Sequence, residues 1–408
     1  MKNPFAATFR ALKSYNFRLW LMGSLVSNIG TWMQRVAQDW LVLVQLTHHD
    51  ARAVGIVMAM QFAPQLLLLP WSGMAADRFN QRKLLMLTQA TMGFFALVLG
   101  TLTLTGHVRL WEVYLLALLS GSAAALDAPA RQAFVGELVG DEHLSNAVAL
   151  NSTAFNAAMM IGPAVAGLLI AKVGTGWAFL LNGFSFIAVL ISLALLRVRE
   201  MRNHERAKRE PGRLLEGFRY VWQRPDQRAM VIMLALIGTF GLNFPIYIST
   251  MAVNVFHVEA RGFGMLSSAL AVGTLTGALL AASRSAPKFG ALFIGALFFG
   301  VGCTAGAFAP GYWTFALALA VTGAAALTFT NSTNSLMQLS TPPAMRGRVL
   351  AIRVGVALGG TPIGAPIAGW VAHHAGPRWS LGIGALSAYI AAVVALVAIK
   401  RGHGEAAT

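Results

Sequence analysis

The sequence predicts an all-α polytopic membrane protein, and two features of its composition indicate this class. The chain has 408 residues, of which 56% are hydrophobic and only 11% are charged, whereas a soluble protein carries about 25% charged residues. The apolar residues form repeated blocks of roughly 20, the length of helix that spans the hydrocarbon core of a bilayer. Transmembrane β-strands are shorter and alternate in polarity, so these blocks predict helices.

The blocks predict twelve transmembrane helices, arranged as two six-helix bundles that are related as parallel repeats around a central cavity. The only long loop separates an N-terminal bundle (1–197) from a C-terminal bundle (229–408), with a cytoplasmic linker at 198–228. The predicted spans are 17–46, 53–75, 84–105, 111–130, 143–172, 176–197, 229–256, 262–283, 289–309, 312–338, 347–374 and 378–400.

The linker contains one stretch with helical periodicity. An amphipathic helix on the cytoplasmic leaflet is predicted, and an ordinary soluble connector is the alternative. The apolar residues that would share one face of this helix are Leu214, Leu215, Phe218, Val221 and Trp222.

Basic residues are distributed unevenly among the loops, and this predicts the orientation. Of the 31 Lys and Arg residues, 24 lie at the termini and in the even-numbered loops and five in the odd-numbered loops. Cytoplasmic loops of membrane proteins carry the excess of positive charge. We therefore predict that both termini are cytoplasmic in a multi-pass inner-membrane protein. The net charge of +16 reflects this topology rather than nucleic-acid binding.

An internal repeat supports two related halves. The segments Ile161–Gly167 (Ile-Gly-Pro-Ala-Val-Ala-Gly) and Ile363–Gly369 (Ile-Gly-Ala-Pro-Ile-Ala-Gly) lie 202 residues apart, and Gly174 then aligns with Gly376. Parallel six-helix halves with a site between them describe a transporter that rocks around a cavity near the midplane of the membrane. Chance identity between helices rich in Gly and Ala is the alternative.

The loop between predicted helices two and three carries the motif Gly73-x-x-x-Asp77-Arg78-x-x-x-Arg82. With twelve spans and a six-plus-six division, this motif resembles the signature of the major facilitator superfamily. Asn80 stands where glycine is usual, and Asn tolerates a left-handed turn. Gln81 stands where a base is usual, which removes one charge from the network of the family.

Other segments narrow the resemblance. Gly162-Pro163-x-x-x-Gly167 looks like the antiporter motif of the superfamily. Four further segments resemble the exporter branch that includes the enterobactin exporter: Gly30–Gln34, Asp127–Gln132, Glu216–Tyr220 and Arg346–Val349. The resemblance implies alternating access, and Gly162, Pro163 and Gly167 allow close helix packing.

The resemblance also implies a gate at the cytoplasmic side. Asp77 would approach the start of helix eleven, where a carboxylate is favoured by the helix N-terminus. Arg78 and Arg82 would hold Asp77 or contact Asp127, and topology alone is the alternative explanation of these bases. Asp127 and Arg131 lie one helical turn apart and could pair with each other, either within the gate or as a solvated pair at the interface.

Helix one carries a second pair of opposite charges, Arg35 and Asp39, flanked by Gln34 and Gln38. Arg35 lies about 27 Å along the helix from residue 17 at 1.5 Å per residue, toward the outer half. Charges within a span usually face a cavity or a partner. Asp39 is the only acid that we place well within an apolar span, so it is the candidate proton site by elimination. A neighbouring Arg35 favours the ionised carboxyl group, so proton binding near neutral pH would require the pair to separate. A structural pair at the outer interface is the alternative.

Helices one, four, seven and ten usually line the pore of this superfamily. Asn243, Asn331 and Asn334 are therefore candidate pore residues, and hydrogen bonding between helices is the alternative. Arg353 on helix eleven joins the candidates because a buried arginine keeps its charge.

These features predict a secondary active transporter, with protons driving export of a small amphiphilic or siderophore-like compound. A facilitator or importer of the same fold is the alternative, and a receptor or scaffold is a third. The sequence has no P-loop motif and no Cys/His cluster with metal-ligand spacing, so we expect no enzyme activity, cofactor or metal. Expected partners are lipid, substrate and protons, with the protein a monomer. His48, His49, His373 and His374 are interpreted as surface residues of external loops.

Overall fold

A computed structural model describes residues 9–201, 214–282 and 289–405 of the chain. The described part of the first half is helical. A short 3-10 helix (Arg10–Lys13) precedes α1, and a π-helical segment (Leu41–Leu46) extends it. The helices of this half are α1 (Tyr15–Trp40), α2 (Ala51–Leu67), α3 (Leu69–Arg78), α4 (Gln81–Leu104), α5 (Leu110–Leu138), α6 (Asp141–Val173) and α7 (Thr175–Ala194).

The second half follows the same plan after a 3-10 turn at Val198–Glu200. Its helices are α8 (Leu214–Gln223), α9 (Pro225–Leu236), α10 (Phe244–Thr250), α11 (Ala260–Ala282), α12 (Phe289–Ala307), α13 (Tyr312–Leu339), α14 (Pro343–Gly359), α15 (Thr361–His374) and α16 (Pro377–Glu405). Two π-helical segments, Ile237–Gly241 and Met251–Val255, lie before and after α10.

The prediction of an all-helical membrane protein is confirmed. Within the described ranges, ten helical segments are long and apolar enough to cross a membrane. Two further helices are not among these ten. The helix Ala51–Leu67 is apolar but shorter, and α1 carries the charged residues Arg18, Arg35 and Asp39.

Three predicted spans are interrupted, in each case beside proline. The predicted span 53–75 divides at Leu68, between Pro64 and Pro70. The span 347–374 divides at Gly360, where Pro362 lies in the first turn of α15, and the predicted seventh span bends before Pro245. Proline has no backbone N–H and its ring clashes with the preceding turn, so helical periodicity alone overestimates the continuity of these helices.

Asn80 has a different role from the one expected. Its backbone is extended, with φ −66° and ψ 119°, and its side chain accepts a hydrogen bond from the backbone N–H of Lys83. It is therefore the N-cap of α4 rather than a left-handed turn residue.

The chain forms two compact units. Unit 1 contains residues 1–42 and 63–208, and unit 2 contains residues 43–62 and 209–408. The core of unit 1 includes Phe17, Trp20, Phe134, Phe186 and Leu193. That of unit 2 includes Met233, Leu234, Phe299, Phe329 and Ala388.

The internal repeat is visible in the packing within each unit. In unit 1, α7 packs against α1 and α4, and α3 packs against α5; in unit 2, α16 packs against α9 and α12, and α11 packs against α13. Gly174 follows α6 and Gly376 follows α15, the helices that carry the repeated segment. Both glycines have left-handed backbones, with φ +90° and +103°. The aligned glycines thus perform the same task in both halves, because glycine adopts this conformation without strain.

The predicted helix of the linker is present as α8. Val221 is fully buried in the core of unit 2, while Phe218 and Trp222 are half-exposed and their rings stack 5.6 Å apart. Glu216 forms an ion pair with Arg348 of α14 at 2.7 Å. Gly217 is also buried, and a Cβ there would lie 2.8 Å from Cβ of Arg348. The helix is therefore fixed to unit 2 by buried contacts on one face and by an ion pair.

Candidate transport site

The carboxylate of Asp127 is the centre of a buried polar network in unit 1. Thr88 and Gln89 of α4 donate hydrogen bonds to Oδ1 at 2.8 and 2.7 Å. Arg131 donates to Oδ2 from Nε at 3.0 Å and forms an ion pair with it at 2.9 Å. The predicted pairing of Asp127 with Arg131 is therefore confirmed, but Asp127 is only 5% exposed, so the solvated alternative is wrong.

Arg82 contacts the end of α7 and not Asp127, which was one of its two predicted partners. Its guanidinium donates to the carbonyl oxygens of Leu193 and Ala194 at 2.7 and 3.2 Å. These carbonyls end α7 and have no partner within the helix, so a cation is favoured there. Asp127 takes its positive partner from its own helix instead.

The remaining residues of the signature loop lie at the end of α3 and beyond it. Gly73 is half-buried and Arg78 is exposed. The backbone of Asp77 is helical, and its side chain lies outside the described part of the structure. The gating role of this loop thus stays a prediction.

Arg35 and Asp39 lie on α1 with different surroundings. The guanidinium of Arg35 lies over the ring of Trp32, 4.6 Å from its centroid, a cation–π arrangement. Trp32 in turn packs edge to face against Phe155 of α6. Asp39 is 8% exposed, and no hydrogen-bond donor to its carboxylate occurs among the described residues. It lies just before the π-helical segment Leu41–Leu46, a feature that is frequent at functional sites.

The two glutamines beside this pair also differ. Gln38 is buried, with 4% exposure. Gln34 accepts a hydrogen bond of 2.6 Å from the amide of Asn182 on α7, and Asn182 is itself buried. Gln34 therefore joins α1 to α7 by a hydrogen bond between helices. This structural role is the alternative to a place in the substrate or proton pathway.

The candidate pathway residues of unit 2 differ in exposure: one is fully buried and three are half-buried. Asn243 is fully buried and donates to the carbonyl oxygen of Thr239 at 2.7 Å. This carbonyl lies four residues earlier in the same span, so the bond satisfies a backbone acceptor at the break before α10, and a place for Asn243 in the pore stays a prediction. Asn331 and Asn334 on α13 are half-buried. Arg353 on α14 is also half-buried and donates to the carbonyl oxygen of Thr330 at 2.9 Å.

The aligned glycine motifs bring helices into close contact. A Cβ on Gly162 would lie 2.6 Å from Cβ of Trp32 and 2.9 Å from the carbonyl oxygen of Ile29. A Cβ on Gly364 would overlap the carbonyl oxygen of Thr239. Pro163 and Gly167 are buried beside Gly162. The motif thus packs α6 on α1 in unit 1 and α15 on the π-helical segment Ile237–Gly241 in unit 2.

One cluster of charged residues was missed by the sequence analysis. Asp50 accepts hydrogen bonds from both the backbone N–H and the guanidinium of Arg52, and the side-chain bonds hold the pKa of Asp50 below its usual range. Nδ1 of His373 lies 3.2 Å from Oδ1 of Asp50. His373 and His374 lie in the last turn of α15 rather than in a loop. Nothing in the sequence linked residues 50 and 373.

Comparisons with known proteins identify the family. The model of the family described as transmembrane secretion effector matches residues 6–407. The chain is 26% identical over 397 residues to the enterobactin exporter EntS of Escherichia coli, covering 94% of this chain and 92% of that protein. It is 27% identical over 370 residues to the multidrug efflux pump Tap of Mycolicibacterium fortuitum, covering 87% and 89%.

A third relative matches a shorter region. The chain is 27% identical over 254 residues to the staphyloferrin A transporter of Staphylococcus aureus, and this match spans 62% of the chain and 63% of that transporter.

Solved structures share the fold. A bacterial homologue of the human lysosomal transporter Spinster, in an inward-facing and occupied conformation, superposes with a TM-score of 0.74 at 16% identity, covering 95% of this chain and 97% of that one. A bacterial homologue of the iron transporter ferroportin gives a TM-score of 0.72 at 16% identity, with coverage of 94% and 98%. The chain therefore belongs to the transmembrane secretion effector family of the major facilitator superfamily, a family of membrane transporters.

Proposed function

We propose that the protein is a secondary active exporter that expels a small amphiphilic or siderophore-like compound in exchange for protons. The observation that carries this proposal is Asp39, a carboxylate buried in α1 to which no described side chain donates a hydrogen bond. An ionised group in such a position is costly, which favours a group that gains and loses a proton. The exporters EntS and Tap among the relatives support the direction.

Arg35 supplies the other half of this proposed site. Its guanidinium lies over the face of Trp32 at 4.6 Å. This ring offers the guanidinium an alternative partner when it moves away from Asp39. With Arg35 close, the carboxylate stays ionised; when Arg35 moves away, desolvation favours the bound proton. Half-buried Arg353, Asn331 and Asn334 of unit 2 are the proposed substrate contacts.

The proposal includes the arrangement in the membrane. Adding α1, and the pair α2 and α3 taken as one span, to the ten apolar segments gives twelve spans. We propose two six-helix bundles around a central cavity, with both termini in the cytoplasm of a monomer in the inner membrane. The surplus of basic residues in the even-numbered loops supports this topology. Asp77, with Gly73 and Arg78, is proposed to close the cytoplasmic side.

A facilitator or importer of the same fold is the competing function, and a transport assay decides between them. Inside-out vesicles with an acidified lumen are incubated in a medium that contains one of a panel of amphiphilic and siderophore-like compounds. The proposal expects uptake into these vesicles that depends on the gradient and stops when a protonophore dissipates it. Uptake that equilibrates without any response to the gradient would contradict proton-driven export.

A further inference from the structure

The loop between α1 and α2 belongs to unit 2, together with most of the π-helical segment Leu41–Leu46 before it and the greater part of α2 after it. The chain leaves unit 1 after residue 42 and returns to it at residue 63. We call residues 43–62 the hairpin tip. The helices that carry the tip otherwise lie in unit 1, so the contacts of the tip within unit 2 are of interest for transport.

Two glycines bring the tip against α15. A Cβ on Gly55 would lie 2.5 Å from the carbonyl oxygen of Ala365, and a Cβ on Gly369 would lie 2.6 Å from that of Ala51. Each of these distances is too short for any side chain, so the two backbones touch at both points. Such contacts between small residues allow helices to pack closely without fixing them by large side chains.

An ion pair lies at the end of this contact. Oδ1 of Asp50 lies 3.2 Å from Nδ1 of His373, and both groups are partly exposed, with side-chain exposures of 24% and 35%. Arg52 binds the same carboxylate with its side chain at 2.8 Å. Asp50 also accepts from the backbone N–H of Arg52 at 2.9 Å, so its position is fixed by the first turn of α2.

The other charged groups of the neighbourhood have different partners. The ring of His374 stacks on Trp370 at 4.5 Å, and its Nδ1 lies 2.9 Å from the carbonyl oxygen of Trp370. Its ring also meets that of His373 edge to face at 4.9 Å. Arg378, at the start of α16, donates to the carbonyl oxygens of Ala307 and Ala309. Asp50 is therefore the acidic partner of His373, with Arg52 and His374 as the neighbouring bases.

We propose that His373 and Asp50 form a proton-binding site that fastens the hairpin tip to α15 at the outer end of the transporter. An imidazole changes its charge between pH 5 and 8. When protonated, His373 attracts the Asp50 carboxylate; when neutral, it loses the charge that holds the tip. This inference rests on the topology and antiport proposed above, and it adds a second proton site that faces the external medium.

The consequence for transport is a definite order of events. A proton that arrives from outside at His373 favours the fastened tip, which returns the outer end to its closed state after substrate has left. Loss of that proton weakens the fastening. The pair is partly exposed, so the change in the fastened fraction is expected to be about two- to fivefold.

The test measures the tip directly and does not depend on substrate. Spin labels are placed at Ile56→Cys and Ala375→Cys in a Cys303→Ser background, in the full chain reconstituted in lipid nanodiscs. Distance distributions are recorded at about pH 5.5 and about pH 8, which bracket the titration of an imidazole. His373→Gln removes the titrating group, and His374→Gln is the matched control because its ring rests on Trp370.

The expected result is a larger short-distance population at the lower pH in the parent, by about two- to fivefold. This difference should persist in His374→Gln and vanish in His373→Gln. Asp50→Asn should abolish it too, because asparagine can still cap α2 but carries no charge. An unchanged pH response in His373→Gln, or none in the parent, would overturn the proposal. A tip that responds to pH while vesicles show no proton-driven export would refute only the proposed function.

Discussion

Two arginine–aspartate pairs, each with its residues four apart, lie in helices of unit 1 and have opposite character. In α5, the carboxylate of Asp127 accepts from Thr88, Gln89 and Arg131. In α1, Asp39 is buried with no described donor, and Arg35 lies on Trp32. The same spacing thus produces one carboxylate, Asp127, whose oxygens have hydrogen-bond and ionic partners, which we call the saturated site. It also produces one, Asp39, to which no described residue donates a hydrogen bond. A carboxylate without fixed partners can exchange a charged neighbour for a proton, which is why the proposal places coupling at Asp39.

The largest expected effect is on the saturated site. Asp127→Ala removes the acceptor for three side chains and leaves Arg131 with a charge in a mostly buried position. Breaking a buried pair from one side costs about 3–5 kcal/mol, so we expect a large fall in melting temperature and in folded yield. Asp226→Ala is the control, since it breaks a partly exposed pair with Arg224, and such pairs contribute little. A melting temperature for Asp127→Ala equal to that of the control would remove the contrast on which the comparison depends.

The support beneath Arg35 is the next target. Gly162→Ala would place a Cβ 2.6 Å from Cβ of Trp32, forcing α6 away from α1 or moving the indole. Overpacking of this kind costs about 1–3 kcal/mol, and a displaced Trp32 should also lower the transport rate. In Gly136→Ala the new Cβ would meet only Leu144, at 3.9 Å, so stability and transport should change little. Thermal unfolding and vesicle transport of both variants check this expectation, and equal behaviour of the two would contradict it.

A smaller effect distinguishes structure from pathway beside the pair. Gln34→Met removes the acceptor for the buried amide of Asn182, at a cost of about 1–2 kcal/mol. We expect a modest loss of stability with an unchanged KM for substrate, because Gln34 is used to join α1 to α7. Gln223→Met, at the exposed end of α8, provides the surface control. A raised KM with unchanged stability would return Gln34 to the substrate pathway.

The contrast between the two pairs also shows how far the sequence could lead. Composition and block length predicted the helices, and the signature loop predicted the family, because both depend on local patterns. The pairing of Asp127 with Arg131 was foreseen since the two residues share one helix. Its burial was not, because that depends on Thr88 and Gln89 of another helix. The same limit applies to Gln34 with Asn182 and to Asp50 with His373, whose partners are distant in sequence.

The breaks in the helices show a second limit. Pro64 and Pro70 were visible in the sequence, yet the span around them was predicted as continuous. A single proline is often accommodated in a membrane helix. Here Pro64 lies four residues before Leu68 and Pro70 two residues after it, and the helix divides at Leu68. Helical periodicity measures polarity and carries no information on backbone continuity.

The central claim is that Asp39 couples proton binding to export, and driven efflux in matched variants tests it most directly. We expect Asp39→Asn to keep downhill exchange and lose efflux driven by a pH gradient, while Asp39→Glu keeps part of it. The double variant Arg35→Gln with Asp39→Asn should remain uncoupled, because no group is left to carry the proton. Asp127→Asn keeps an oxygen acceptor for Thr88 and Gln89. It should retain driven efflux when the rate is expressed per amount of folded protein in the membrane. Full driven efflux in the double variant would contradict the account and reduce the pair in α1 to mutual neutralisation of charge.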